Sequence, residues 1–260
     1  MQSVTAANLR FYQFTSIDPL AVVHGVFTRH GGVSPEPYAS LNLSVSTGDS
    51  LDNVRGNAAR AFGALGRDIA SAASLWQVHS GDVVVAEQPH GDGGHLGQAD
   101  ALITCRPFVS LFLRFADCVP ILLFDPGRPA VGVVHAGWRG TLKKIVSRAT
   151  AAMAEAFGSQ PADIVAGIGP SVGPCHYSVG PEVVEQVRSV FGAEAEALLP
   201  EVDGRTHFDL WAANAATLRE AGVRHIETAG MCTVCQSHDF FSHRATGGRT
   251  GRFGAVIALR

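Results

Sequence analysis

The sequence predicts an α+β protein whose 260 residues form a single domain. Short apolar runs bounded by turn signals, such as PILLFD and AVGVV, indicate strands that are covered on both faces. Amphipathic stretches with capping residues indicate helices between these strands. Neither an internal repeat nor a low-complexity linker interrupts the chain, and an apolar fraction of 46% can cover a substantial core. We therefore assign residues 1–260 to one domain.

In the first half of the chain, one helix is predicted among several strands. The helix begins after Asp49 or Ser50, either of which can cap it, and continues to about Leu65 with apolar residues on one face. The predicted strands cover residues 22–28, 83–87 and 99–104, then an apolar run that ends at the Pro126-Gly127 turn, and residues 131–134.

The second half is predicted to contain three helices and two strands. The helix LKKIVSRATAAMAEAF follows Thr141, which can cap it, and a strand follows at residues 164–168. The next helix covers residues 181–191, with proline in its first turn, and another covers residues 210–221 between the capping Asp209 and the terminating Gly222. The run FGAVIAL predicts a closing strand.

Charge and cysteine usage exclude several classes of function. A net charge of −3 with 17% charged residues offers no basic field for nucleic acid or an anionic membrane, so the expected partner is a small molecule. The start MQSVTAANLRFYQF lacks the pattern of a signal peptide, and no apolar run approaches the roughly 18 to 20 residues that span a bilayer. Five cysteines, an odd number, indicate reduced thiols. We expect a cytoplasmic protein, either a monomer or a small homo-oligomer.

Three residues with metal-binding side chains lie next to predicted strands. Cys118 and His135 flank the two central strands, and His79 precedes the apolar run VVV. A buried strand needs neither a thiol nor an imidazole to fill its core. One cysteine and two histidines form a ligand set for zinc or copper. Asp100 could orient one of these histidines through a hydrogen bond, as metal-bound imidazoles usually require.

Several arginines could hold an anionic group of a substrate. Arg29 lies beside two glycines in RHGG, where small neighbours allow close approach and the guanidinium supplies two parallel donors. Arg139 lies in AGWRG, just before a predicted helix whose N-terminus attracts anions. The alternative for Arg139 is a pair with a structural carboxylate. Arg244 lies in FFSHR near a Gly-Gly turn.

Two further groups of histidines and cysteines leave alternatives open. The glycine-rich segment HGDGGHLGQAD contains His90, Asp92, His95 and Asp100, which could form a second metal site or belong to a flexible loop. The segment CTVCQSHDFFSH contains a single CxxC motif. Such a motif can be a redox pair, half of a zinc site completed by the two histidines His238 and His243, or simply a pair of free thiols.

The motifs taken together resemble one family, the bacterial purine nucleoside phosphorylase/laccase-domain family, also labelled multicopper polyphenol oxidase or laccase-like. The resemblance spans nearly the whole chain and is specific because separate motifs agree in order and spacing. These motifs are HGVFTRHGGVS, SLNL, TGD, WQVHS, ADALIT, ADCVPILLFDP, VGVVHAGWRGT, GIGPSVGPCHYSVG, FDLWAAN, CTVCQSHDFFSHR and GRTGRFGAVIAL.

This resemblance implies a fold, a metal and a chemistry. The implied fold is a four-layer α/β/β/α sandwich similar to that of cytotoxic necrotizing factor toxins. The implied cofactor is zinc, held by His79, Cys118 and His135, with copper possible in the same site. The implied reactions are phosphorolysis of adenosine, inosine, guanosine and methylthioadenosine to base plus ribose 1-phosphate, with phosphate as co-substrate, and deamination of adenosine to inosine.

Residue roles follow from the positions of the motifs. The expected catalytic residues are Arg29 and the three metal ligands. Arg29 is expected to hold phosphate near the ribose, helped by Arg139 or Arg244. Polar contacts to sugar or base are expected from three further residues: Asn42, Gln77 and His176.

Two other functions remain open from the sequence. A multicopper oxidase needs many histidines, usually in His-x-His pairs, whereas the eleven histidines here include no such pair and methionine is scarce. Copper in the trio could still give weak polyphenol oxidation. Alternatively, Cys118 could be a nucleophile with His135 as its base, in an amide hydrolase that edits cell-wall precursors. Metal content separates these readings, because a thiolate bound to zinc is not a free nucleophile.

Overall fold

The computed structural model describes residues 1–91 and 94–260, and within these ranges the chain forms fourteen strands and seven α-helices. The strands are β1 (Gln2–Ala6), β2 (Leu9–Gln13), β3 (Val22–Phe27), β4 (Ala72–Ser74), β5 (Val83–Val85), β6 (Ala101–Thr104), β7 (Ser110–Phe115), β8 (Val119–Asp125), β9 (Ala130–Ala136), β10 (Val165–Ile168), β11 (Glu201–Val202), β12 (Arg205–Thr206), β13 (His225–Thr228) and β14 (Phe253–Leu259). The helices are α1 (Leu51–Ala64), α2 (Trp138–Leu142), α3 (Ile145–Phe157), α4 (Pro181–Phe191), α5 (Ala195–Leu198), α6 (Leu210–Glu220) and α7 (His243–Thr246). The chain is therefore of the mixed α+β class that the sequence predicts.

Two six-stranded sheets dominate the described part of the chain. The first has the order β1-β2-β3-β14-β7-β4 and the second has the order β13-β10-β8-β9-β6-β5. Most neighbours are antiparallel, and the parallel pairs are β4 with β7, β10 with β13, and β5 with β6. The closing strand β14 lies between β3 and β7, so the end of the chain completes the first sheet.

Strand β8 shows why the central apolar run has no polar alternation. Ile121 and Leu123 belong to the apolar cluster that the second sheet forms with helices α3, α4 and α6. Leu122 and Phe124 point the other way, into the cluster shared by the two sheets. Because successive side chains of a strand alternate between faces, a strand covered on both faces must be apolar throughout. The prediction of a doubly buried strand is confirmed.

The outer face of the first sheet packs against helix α1. The ring of Phe62 meets the ring of Phe112 edge-on, with ring centroids 5.6 Å apart. Leu9, Phe27 and Val256 belong to the same cluster. Helix α1 starts after Ser50, whose side chain accepts a hydrogen bond from the backbone N–H of Asn53, as the capping pattern predicts.

One predicted helix is divided in the structure. The stretch that begins at Thr141 contains the end of α2 and all of α3, separated by Lys144, whose φ of 53° lies in the left-handed region. Thr141 does not cap a helix because it lies inside α2, where its hydroxyl accepts a hydrogen bond from the Asn214 amide at 3.0 Å. Gly137 occupies the capping position of α2 instead.

Helices α4 and α6 lie where their capping patterns predict, whereas the predictions omitted strands such as β1, β2, β7 and β13. Among the described residues, no helix has the length and apolar character that crossing a membrane requires.

Candidate active site

The metal-binding trio predicted from the sequence comes together at one end of the central strand pair. In the register of β8 with β9, Pro120 lies opposite His135, so Cys118, two residues before Pro120, points to the same face of the sheet. His79 comes from the loop between β4 and β5, with a left-handed φ of 58°. The three ligand atoms lie within 4.8 Å of one another, and Cys118 Sγ is 3.8 Å from His79 Nε2.

Asp100 connects two of the three ligand positions. Its Oδ1 lies 2.7 Å from His135 Nδ1, and its Oδ2 accepts the backbone N–H of Ser80 at 2.6 Å and that of Val78 at 3.2 Å. A carboxylate only accepts hydrogen bonds, so Nδ1 of His135 must be the donor and Nε2 is left for a metal. The residues on either side of His79 are held by the same carboxylate. The orienting role predicted for Asp100 therefore has a geometric basis.

The pKa values of Cys118 and His135 are shifted in opposite directions. Burial opposes ionisation of Cys118, but the charge and hydrogen bonds of His135 and His79 outweigh this and lower the pKa of the thiol to about 6. Burial likewise opposes protonation of His135, but Cys118 and Asp100 raise the pKa of its imidazole to about 9. Both shifts favour the thiolate and the imidazolium over the neutral pair. A thiolate is also the form that binds a metal.

The donor set fits zinc. Three protein ligands of the Cys and His type are close enough to share one ion, and one imidazole already has the carboxylate partner typical of metal-bound histidine. The same donors also suit copper. Three ligands leave a fourth position for water or substrate, which is the pattern of catalytic rather than structural zinc sites.

The trio lies in the wall of a cavity of about 660 Å³, a size typical of small-molecule sites. Aromatic side chains form part of its lining, namely Trp76, Trp138 and Tyr177. Trp76 is 50% exposed, which is unusual for so large an apolar ring and leaves part of it accessible to a ligand.

Three of the predicted substrate-binding residues line this cavity. The side-chain amide of Gln77 donates to the Arg114 carbonyl at 2.8 Å and accepts from the Arg114 backbone N–H at 3.0 Å, and these two bonds fix its position. The guanidinium of Arg139 lies over the Trp138 ring, 4.5 Å from the ring centroid. That of Arg244 lies 5.2 Å from the centroid of the Tyr177 ring. Both arginines are thus held by the aromatic wall.

The other three predicted substrate-binding residues are not among the described residues that line the cavity. Arg29 donates from Nε to the Ala39 carbonyl at 2.8 Å and from Nη1 to the Ser237 carbonyl at 3.1 Å. Asn42 is fully buried, and its amide donates to Asp49 and accepts from the backbone N–H of Arg252. These two residues order the polar loop, and their substrate contacts stay predictions.

His176 lies instead in a cluster with three cysteines: Cys175, Cys232 and Cys235. Neither His238 nor His243, which the sequence suggested as partners of the CxxC pair, belongs to this cluster. In the loop with the suggested second metal site, the His95 ring packs edge-on against Trp76 at 5.6 Å, and Asp92 lies outside the described residues.

The sequence reasoning missed one cavity residue, Arg114. Arg114 lies on β7 and lines the cavity, and its Nη1 donates to Ser74 Oγ at 2.7 Å. Burial lowers the pKa of Arg114 to about 10, so it stays charged at neutral pH. The available signal was a single arginine inside the otherwise apolar run SLFLRF. A charge placed there needs partners or a ligand.

The family model described as multi-copper polyphenol oxidoreductase laccase matches residues 23–260. This chain belongs to that family. Among relatives of this laccase-family chain, the purine nucleoside phosphorylase of Deinococcus radiodurans is 41% identical over 240 residues, which are 92% of this chain and 90% of that protein. The purine nucleoside phosphorylase YlmD of Geobacillus stearothermophilus is 37% identical over 247 residues, with the same two coverages.

Solved structures agree with the family assignment. A crystal structure of YlmD from Geobacillus stearothermophilus matches with a TM-score of 0.89 at 35% identity and covers 96% of this chain and 98% of its own. The crystal structure of YfiH from Bacillus licheniformis matches with a TM-score of 0.88 at 33% identity and covers 92% of this chain and 93% of its own. The resemblance inferred from the motifs is confirmed.

Gly137 offers a steric test of the laccase-family site. A Cβ at this position would lie 2.9 Å from Cys118 Sγ and 3.1 Å from His79 Cδ2, so Gly137→Ala must displace two ligands. We expect metal affinity to fall by about tenfold or more, measured by competition with a chromophoric chelator. Gly63→Ala is the matched control, because its Cβ meets nothing within 4 Å on helix α1. Equal metal affinities in the two variants would contradict the proposed ligand positions.

Proposed function

We propose that this protein is a zinc-dependent purine nucleoside phosphorylase that converts adenosine, inosine, guanosine and methylthioadenosine, with phosphate, to base and ribose 1-phosphate. The observation that carries the proposal is the convergence of His79, Cys118 and His135 on the wall of a ligand-sized cavity. The names of the Deinococcus radiodurans and Geobacillus stearothermophilus relatives support the reaction class.

The trio would hold zinc, while Asp100 keeps His135 in the tautomer that offers Nε2. Zinc in such a site supplies a Lewis acid and lowers the pKa of water. This chemistry also underlies the second proposed activity, deamination of adenosine to inosine. Copper in place of zinc would add weak polyphenol oxidation to these activities.

The rest of the cavity suits the two substrates. Trp138 and Tyr177 offer flat apolar surfaces for a purine base. Arg139 and Arg244, stacked on these rings, can neutralise phosphate by paired hydrogen bonds. We propose that these two arginines bind phosphate, whereas Arg29 supports the adjoining loop through backbone carbonyls.

We further propose that residues 1–260 form one domain with the four-layer α/β/β/α order of the cytotoxic necrotizing factor toxins. Three apolar clusters support this order, because helix α1 packs on the first sheet, the two sheets pack on each other, and the remaining large helices pack on the second sheet.

The first experiment combines metal analysis with an inosine assay in the presence and absence of phosphate. We expect hypoxanthine release to require phosphate, and we expect His79→Ala to lose both this activity and about one zinc ion per chain. His225→Ala, which changes an exposed histidine on β13, is the control and should retain both. Hypoxanthine release that does not depend on phosphate would indicate hydrolysis and overturn the phosphorylase proposal.

A second candidate function, a Cys-His amide hydrolase, is favoured by one feature. His135 contacts Asp100 on one side and faces Cys118 on the other, which is the order of a catalytic triad. Two results together would replace the phosphorylase with the hydrolase. The purified protein would hold no metal at the trio, and the rate of Cys118 alkylation would rise with pH around the lowered thiol pKa of about 6 rather than around the ordinary value of 9.0. Retention of the zinc excludes the hydrolase.

A further inference from the structure

A second group of metal-binding side chains lies outside the cavity lining. Cys175 and His176 lie in the loop between β10 and α4, and Cys232 and Cys235 follow β13. All four ligand atoms lie within 4.8 Å of one another. Of the four residues, only Cys232 is buried, so the group is accessible to an ion from solvent.

The distances match the edges of a tetrahedron around zinc. With Zn–S and Zn–N bonds of about 2.3 and 2.05 Å, tetrahedral geometry requires S···S edges of about 3.8 Å and S···N edges of about 3.6 Å. The Cys175 and Cys235 sulfurs are 3.7 Å apart. His176 Nδ1 lies 3.3, 3.7 and 3.4 Å from the sulfurs of Cys175, Cys232 and Cys235.

Backbone contacts hold these ligands in place. The Gly173 N–H donates to Cys232 Sγ at 3.3 Å, which is the support that thiolate ligands need. The two segments also pair through their backbones, because Thr233 N donates to the Ser171 carbonyl at 2.9 Å and Ser171 N donates to the Met231 carbonyl at 3.2 Å. These backbone hydrogen bonds bring the two ligand-bearing segments side by side.

We propose that Cys175, His176, Cys232 and Cys235 bind a structural zinc ion, separate from the ion in the cavity. Four protein ligands of the Cys₃His type close the coordination sphere and leave no position for a substrate. This site is independent of the proposed phosphorylase activity, since none of its ligands lines the cavity.

The second ion would stabilise one wall of the cavity. Tyr177 follows the ligand His176 directly and lines the cavity. In the chain after β13, Thr233 Oγ1 donates to Asp117 Oδ1 at 2.6 Å, and the backbone N–H of Arg244 donates to Asp117 Oδ2 at 2.6 Å. The zinc ion would thus hold the segments that carry Tyr177 and Arg244 close to Asp117, which lies next to Cys118 at the start of β8.

The test counts metal ions in protein prepared under reducing conditions with zinc. We expect about two zinc ions per chain in the unmodified protein, about one in His79→Ala/Cys118→Ser, and about one in Cys175→Ser/Cys235→Ser. Cys105→Ser changes a cysteine that belongs to neither ligand group and should keep about two. Unchanged zinc content in Cys175→Ser/Cys235→Ser would overturn the proposal.

A second measurement covers the case in which Cys175→Ser/Cys235→Ser does not fold. In His79→Ala/Cys118→Ser loaded with Co²⁺, three thiolates on one ion should give an intense thiolate-to-metal absorption band and the visible spectrum of tetrahedral cobalt. Absence of this band would overturn the structural-zinc assignment. So would a disulfide between Cys175 and Cys235 that persists in protein freshly purified under reducing conditions. Because neither readout involves nucleoside turnover, this outcome is distinct from failure of the phosphorylase proposal.

Discussion

Cys118→Ser is expected to remove the metal ion from the cavity and to lower kcat/KM for phosphorolysis of inosine by about 1,000-fold or more. A catalytic metal stabilises the transition state by several kcal/mol, and each 1.36 kcal/mol corresponds to a factor of ten in rate. Serine keeps the size of the side chain but supplies no thiolate between the two histidines. Zinc content and steady-state kinetics with saturating phosphate measure the two losses.

Cys105→Ser is the control for this change, because Cys105 is a partly buried free thiol outside both ligand groups. It should leave zinc content and kcat/KM close to those of the unmodified protein. If Cys118→Ser kept full phosphorolysis, the role of Cys118 as a ligand of a catalytic zinc ion would be contradicted.

Asp100→Asn is expected to weaken zinc binding in the cavity by about 10- to 100-fold. Both oxygens of Asp100 accept hydrogen bonds, from His135 on one side and from the Ser80 backbone amide on the other. An asparagine amide has one oxygen and one NH₂ group, so one of these donors must face another donor. A chelator competition assay measures the affinity, and the loss of activity should be recovered in part at high zinc concentration.

Asp125→Asn separates this effect from general destabilisation. Asp125 is also buried, and its Oδ1 accepts the backbone N–H groups of Gly127 and Arg128, but it lies at the other end of β8. We expect Asp125→Asn to lower the melting temperature without changing zinc affinity. Equal losses of zinc affinity in both variants would mean that Asp100 acts only through stability.

The acid limb of stability provides a second readout for Asp100. Burial opposes its ionisation, but the hydrogen bond and charge of His135 and the Ser80 contacts outweigh burial and lower the pKa of Asp100 from 3.8 to about 2. A lowered folded-state pKa stabilises the protein above the ordinary pKa. In metal-free protein, the stability difference between unmodified protein and Asp100→Asn should thus be full above about pH 4 and shrink as pH falls through about 2.

The positions of Cys118 and His135 illustrate what local sequence can predict. Both lie at the ends of apolar runs, and such runs form strands whose alternating side chains face two cores. Since consecutive strands joined by a short turn usually pair, their ends lie close together. His79 was a weaker inference, because its loop reaches the site from outside this hairpin and depends on Asp100 for its position.

Motif position alone did not show which of the predicted substrate-binding residues line the cavity. Arg29 and Asn42 lie in a loop that was predicted to bind substrate. In the structure, Arg29 donates to the Ala39 carbonyl, and Asn42 donates to the Asp49 carboxylate and accepts from the backbone N–H of Arg252. Conversely, Arg114 was overlooked because its strand β7 was not predicted. A guanidinium can serve an anion or a carbonyl equally well, and the surrounding fold decides which partner is within reach.

The sequence by itself determined the α+β class, the doubly buried central strands and several helix caps, and it singled out His79, Cys118 and His135 as one group. These features depend on side-chain periodicity and on contacts between neighbours in the chain. Only the tertiary structure decided that Cys175 meets Cys235, 60 residues away, and that Arg139 and Arg244 share a cavity with the trio. Contacts between distant segments depend on how whole sheets and helices pack, and local periodicity carries no information about that packing.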